Sequence, residues 1–207
     1  MNYAWVRDMA LKLIDQYSVA GELVAPSYNN QTDYLLKIPA LVNDGLSLLF
    51  TRYRPVRAFV PVGTLDRVEV NGLDTYLLPK RLWKICGSGL IAVGEDGLTY
   101  RYSGYRLMGE DSLILDKDAP GNLLLEYYCR PIALNENPTD KVELSGTEEM
   151  HMALPYYVAA HLVMHDSPFA YQALSNEFEA RAQRLLPDTR AELACVEDAY
   201  DFREGDA

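Results

Sequence analysis

Residues 67–78 read RVEVNGLDTYLL, and this stretch fixes the class of fold. Val68 and Val70 alternate with Arg67 and Glu69, a period of two, which places apolar side chains on one face of a strand. Asn71-Gly72 then interrupts the alternation. Both residues tolerate positive φ, so the pair predicts a tight hairpin turn. After it, Leu73, Thr75 and Leu77 alternate with Asp74 and Tyr76.

The same theme continues downstream. LIAVGEDGLTYRYSGYRL at 90–107 predicts strands around a turn at Gly94–Gly97, and SLILDKDAPGNLLLEYYCRPIAL at 112–134 predicts two more around Asp118-Ala119-Pro120-Gly121. Roughly seven short strands between 57 and 134 fit a small sandwich or barrel.

Upstream the period is helical. Val6, Met9, Ala10, Leu13, Ile14 and Tyr17 share a face over residues 3–18, with Asn2 as the expected N-cap and Gly21 as the stop. After the polar PSYNNQ at 26–31, residues 32–54 predict one or two helices. Thr32 is a possible cap, and Pro39 is expected to kink the helix or start its second half. Ile38, Leu41, Val42, Leu46, Leu49 and Tyr53 supply the apolar face.

Helix returns downstream. Ser145 three residues before Glu148 predicts a capping box, followed by an apolar helix over 150–164. Ser167 is expected to cap the next helix, with Pro168 in its first turn. There Tyr171, Leu174, Phe178, Ala182 and Leu185 share a face. Pro187 ends it, and TRAE at 189–192 predicts a short last helix. The tail at 199–207 is acidic.

Helices, then strands, then helices predict an α+β fold. Neither helical end has enough partners alone. The expectation is a discontinuous helical bundle from 1–55 and 139–198, with an antiparallel β-sandwich or barrel-like domain inserted at 56–138.

Composition bounds the function. The chain has 207 residues, about half of them apolar, and a net charge of −11. Such a balance disfavours non-specific nucleic-acid binding, which needs Lys and Arg to displace counterions. Cys86, Cys129 and Cys195 are too few and too far apart for a disulfide framework or a zinc knuckle. No apolar run approaches the roughly 20 residues of a membrane helix. The N-terminus lacks a basic-then-apolar signal pattern, so cytosolic synthesis is expected.

AAHLVMHDSP at 159–168 raises the possibility of a metal site, because His161 and His165 are four apart. Zinc hydrolases of that spacing carry a Glu between the histidines as general base. Here the position holds Leu162. His151 lies ten residues from His161, nearly three turns away, too far to complete the ligand set. The glycine-rich GSGLIAVGEDG at 87–97 has no Walker lysine and lies among strands, where hairpin turns account for it. No nucleophile elbow or kinase pattern occurs. No catalytic residue, cofactor or metal is expected, and the protein reads as a non-enzyme.

Fifteen tyrosines favour contact with a partner, since Tyr contributes area at little rotamer cost. Tyr100, Tyr102 and Tyr105 are candidate partner-binding residues. So are Tyr200, Phe202 and Arg203 of the tail, where aromatics two apart in a charged segment suit strand addition or pocket insertion.

Three stretches carry a resemblance: VRDMALKLIDQYSVAG at 6–21, YNNQTDYLLKIPALVNDGLSLL at 28–49 and ALPYYVAAHLVMHDSPFAYQALSNEFEARAQRL at 153–185. In these the chain resembles the head-to-tail adaptor (connector, or neck) proteins of tailed bacteriophages. It is similar in organisation to the larger adaptors, which carry a β domain inside a helical bundle. The resemblance implies a virion protein of the neck, assembled in the host cytoplasm into a homo-oligomeric ring, commonly of twelve copies. Its implied partners are the portal protein and a tail or head-closure protein. Double-stranded DNA would pass its channel during genome ejection without specific binding, and no membrane is involved. Two other roles fit the same sequence: another neck or tail-completion protein, or a β-sandwich module that binds a glycan or a host protein.

Overall fold

The computed structural model describes residues 1–18, 28–70, 73–94 and 97–186. Their fold is α+β, with four helices and two antiparallel sheets. The chain divides into two compact units. One joins Met1–Arg54 to Ala133–Ala207, and the other is Pro55–Ile132.

The first unit holds α1 (Tyr3–Ser18), α2 (Tyr28–Leu48), α3 (Glu148–Val163) and α4 (Pro168–Gln183). Helix α3 touches all three others. Its sequence explains this: Met150, Ala153, Leu154, Val158, Ala159, Ala160 and Leu162 point in every direction around the axis and are all buried. A helix apolar all round needs neighbours on all sides. Against it lie Val6, Ala10, Leu13 and Ile14 of α1, Ile38, Val42 and Leu46 of α2, and Leu174, Phe178 and Ala182 of α4.

Some helix ends follow local chemistry and others do not: Thr32, expected as a cap, lies inside α2, which begins at Tyr28. Asn2 caps α1, its Oδ1 accepting from Trp5 N–H at 3.1 Å. Ser167 caps α4, with Pro168 in the first turn and the hydroxyl accepting from Ala170 N–H. The expected Ser145 cap is not made; α3 begins at Glu148 after Thr147. Gly146, at φ +109°, bends the chain between the two and breaks the expected box. Pro39 neither starts nor splits a helix, because α2 runs through it. The lost N–H is tolerated on a helix held by its buried face. Beyond α2 a π-helical turn, Leu49–Tyr53, buries Leu49, Phe50 and Tyr53 together. The segment proposed at 189–192 as a last helix lies outside the described residues.

The returning chain is tied to the first two helices. Asn43 grips the backbone of Leu134 from both sides, donating to its carbonyl at 3.0 Å and accepting its N–H at 2.7 Å. Asp140 and Val142 offer carbonyls to Ala4 and Tyr3, two of the N–H groups that a helix start leaves unpaired.

The second unit has eight strands. Sheet I is ordered β1 (Arg57–Pro61), β8 (Leu123–Cys129), β4 (Leu82–Val93), β5 (Thr99–Tyr102). Sheet II is ordered β2 (Arg67–Val70), β3 (Leu73–Leu77), β7 (Ser112–Leu115), β6 (Tyr105–Met108). Both sheets keep open edges, so the barrel-like alternative is corrected. The chain changes sheets four times, between β1 and β2, β3 and β4, β5 and β6, and β7 and β8, where a barrel would have continued pairing. Val70 pairs with Leu73 across the two-residue Asn71-Gly72 connection, as the hairpin reading requires. Gly97, at φ +80°, helps close the β4–β5 turn. The earlier glycines, Gly87 and Gly89, are not turn residues. They lie inside β4, where its register against β8 slips between Ile85 and Leu90.

Candidate interaction surfaces

Sheet II has one face that is mostly apolar, interrupted by Thr75, Ser112 and Arg106. The register places Val68 and Val70 of β2 beside Thr75 and Leu73 of β3, and Leu77 and Thr75 beside Ser112 and Ile114 of β7. Met108 and Arg106 of β6 complete the face. Arg106 is its one charged residue. Val68, Leu73, Leu77 and Met108 are nevertheless each 40–44% exposed. The opposite face carries Arg67, Glu69, Asp74 and Tyr76, with Arg67 donating to Asp74, and also the fully buried Leu113. From that second face Tyr76 and Leu115 join Val62 and Leu123 in lining an open cleft of about 350 Å³, rimmed by Asp74, Asp116 and Lys117. The first face therefore has a buried centre, at Thr75 and Ser112, and partly exposed apolar residues around it.

In the helical unit the exposed apolar residues cluster in sequence around one hydrogen bond. The Tyr34 hydroxyl donates to Asp166 Oδ2 at 2.7 Å, which ties the first half of α2 to the α3–α4 turn. Burial and this hydrogen bond push the Tyr34 pKa up to about 12, so it stays a neutral donor. Close along the chain to this contact stand Leu36, 67% exposed, and Phe169, 80% exposed, with Leu35 and Met164 also exposed. Acidic residues Asp33 and Asp166 flank them, together with Lys37.

Sheet I carries a polar cluster. Glu126, on β8, is only 5% exposed. Its carboxylate accepts from the Ser88 hydroxyl and pairs with Arg57 at 3.5 Å. Arg57 also lies over the Tyr128 ring, which contacts Trp83. Burial pushes the Cys86 thiol up, with Glu126 adding to the effect, so the thiol stays protonated at neutral pH and is a poor nucleophile. The slipped register of β4 brings Ser88 to the carboxylate, and the arrangement serves to satisfy a buried charge.

The tyrosines named from sequence do not share one sheet. Tyr100 and Tyr102 lie on β5, at the edge of sheet I, paired with Ala92 and Leu90. Tyr105 lies on β6 of sheet II. Gly89, at φ +63°, leaves room for the Tyr105 hydroxyl, which a Cβ there would strike. Tyr200, Phe202 and Arg203 are outside the described residues.

The histidines are separated by the end of a helix. His161 is in the last turn of α3, where its Nδ1–H donates to the Tyr157 carbonyl at 2.8 Å and its ring lies 4.1 Å from that of Tyr157. α3 ends at Val163, so His165 falls in the following turn and the helical i, i+4 geometry does not extend to it. Asp166 is engaged by Tyr34. Among the described residues, no group of three or more His, Cys, Asp or Glu side chains is placed to hold a metal ion. No helix among them is long and apolar enough to cross a membrane.

Sequence reasoning missed which apolar side chains stay exposed. The alternation in β2 and β3 says which residues share a face, but not whether anything covers it. No protein-family model matches the chain, and no curated protein matches its sequence.

Proposed function

We propose that this chain is a structural, non-enzymatic protein: a ring-forming adaptor of a tailed-phage neck that joins the portal to the tail. The observation that carries the reading is the partly exposed apolar face of sheet II. A chain of net charge −11 that leaves Val68, Leu73, Leu77 and Met108 partly exposed is suited to contact with another protein. In this reading the four helices act as one bundle around α3, and the two sheets form a sandwich inserted between its halves. The three stretches that resemble phage adaptors all fall in the helical unit, which supports the same assignment.

The C-terminal segment with Tyr200, Phe202 and Arg203 binds the portal, and loops of the β unit meet a tail or head-closure protein. Copies close into a ring, with twelve as the expected number, and double-stranded DNA passes through without specific binding. The site of action is the virion neck. Native mass measurement of the purified protein, alone and mixed with portal, tests this. A ring, or a ring formed on portal, supports the reading. A monomer that ignores portal rejects it. A role as another neck or tail-completion protein predicts a different ring size or position in the particle.

One observation favours a second reading, a glycan- or host-protein-binding module. The cleft in the β unit joins Tyr76 to Asp74, Asp116 and Lys117, an aromatic-plus-polar lining suited to a sugar. A glycan array distinguishes the two: saturable binding lost in Tyr76→Ala favours the module.

A further inference from the structure

We infer that one face of sheet I binds the acidic, aromatic segment 197–207 of this chain. Residues directly opposite each other in paired strands point to the same side of a sheet. The register puts Arg57 of β1, Tyr128 of β8 and Lys84 of β4 in one row, and Phe59 opposite Glu126 in the next. Farther along the same side of β8, Leu124 pairs with Ile91, and Ile91 pairs with Arg101 of β5. The Trp83 ring joins this face, 6.3 Å from that of Tyr128. Phe59 is 57% exposed and Trp83 37%. Lys84 and Arg101 are exposed and make no ion pair among the described residues. Arg57 is half exposed over the Tyr128 ring. Among the described residues, the one acid on this face is Glu126, which is buried and already served by Ser88 and Arg57.

The face is thus cationic and aromatic in a chain of net charge −11. An occupant that suits it supplies carboxylates and apolar rings together. Segment 197–207, EDAYDFREGDA, has five acids against Arg203 alone, with Tyr200 and Phe202 between them. Its acids answer Lys84 and Arg101, and its rings pack against Phe59 and Trp83. Opposite charges steer and orient such a contact, while the buried rings hold it. Two other occupants fit worse. A second copy of the same face would set Lys84 and Arg101 against their own kind, and like charges across an interface repel. Duplex DNA would meet the cations, but its paired bases leave Phe59 and Trp83 without a stacking partner. The contact forms in the protein without portal and does not depend on the adaptor reading; where portal takes up the segment, it displaces it from sheet I.

Trp5 and Trp83 are the chain's two tryptophans, so full-length Trp5→Phe reports on Trp83 alone. In that background the docked segment shields Trp83 from acrylamide. Adding Tyr200→Ala with Phe202→Ala raises the quenching constant, while circular dichroism checks the fold. A synthetic peptide of residues 197–207 then lowers the constant again and saturates. The same peptide with every Asp and Glu changed to its amide does not. If the doubly substituted tail disturbs the native spectrum, Asp198→Asn with Asp201→Asn replaces it and likewise raises the constant. A quenching constant that is the same with and without Tyr200 and Phe202 overturns the inference. So does an amide peptide that shields Trp83 as well as the acidic one. Shielding by a short DNA duplex and not by the peptide overturns it in favour of a nucleic-acid surface. A chain that shows the docking yet ignores portal removes the adaptor reading and leaves this contact standing.

Discussion

His151 is 2% exposed, with Nε2–H donating to the Ser145 carbonyl at 2.9 Å and Nδ1 unpartnered among the described atoms. Protonation would add a buried N–H with no acceptor. Burial therefore lowers its pKa, against smaller raising effects from the Ser145 bond, Glu143 and Glu148; the N-terminal amine also lowers it. The unfolded chain takes up this proton first, near the ordinary His value of about 6.5. The stability that neutral His151 contributes is complete above that pH. It falls as pH drops from there toward the lower folded value. His151→Gln keeps an N–H for Ser145 and removes the titration. Urea unfolding at pH 7.5 and 5.5 should show a smaller acid loss in the variant than in the wild type. An equal loss in both would assign the acid sensitivity elsewhere.

Also at this scale, Arg57 pairs with the buried Glu126, but its own side chain is half exposed. Solvent screens such a pair, and Ser88 still serves the carboxylate after the arginine is removed. Arg57→Ala should cost about 1 kcal/mol or less by chemical denaturation. The identities of Arg57, Ser88 and Glu126 were plain in the sequence. Their meeting was not, because it depends on the register slip in β4 across from β8.

Among the elements, α2 and α3 pack tightly at Gly45. A Cβ there would come within 2.6 Å of Leu154 Cδ1 and 2.8 Å of Tyr157 Cδ1. Leu154 is fully buried, so its methyl has little room to retreat. Gly45→Val should destabilise by about 1–3 kcal/mol through overpacking, measured as a fall in the urea midpoint at unchanged m-value. Ser167→Ala removes the α4 cap and should cost about 1 kcal/mol in the same assay.

The helical faces were legible from spacing. Val6, Ala10, Leu13, Ile38, Val42, Leu174 and Phe178 are buried as their periodicity requires. Local signals misled where a competing geometry intervened. Gly146 displaced the Ser145 cap, and Pro39 was absorbed into a continuous α2. His161 and His165 share a spacing but not a helix, since α3 stops between them.

For the whole molecule, the adaptor reading makes two demands. Truncation before Pro187 removes the segment assigned to portal, so pull-down with purified portal should lose binding while the ring persists. Retained binding would move the portal contact to another surface. If that reading holds, carboxylates lining the channel would repel passing phosphate within about a Debye length, ~8 Å at physiological salt. Reversing their charge should slow DNA ejection measured by dye release. Unchanged ejection would remove the acidic lining from the mechanism.

The sequence by itself determined the α+β class, the order of elements and the face each residue takes, because side-chain period is a local property of the backbone. It also supplied the Asn71-Gly72 hairpin and the Asn2 and Ser167 caps, whose bonds span only a few residues. Tertiary structure alone decided which strands share a sheet, separating Tyr105 from Tyr100 and Tyr102. It also decided which apolar surfaces stay uncovered. Periodicity would read Val68, Leu73 and Leu77 as core, yet each remains exposed. Burial depends on what the rest of the chain places against a face, and no local pattern encodes that.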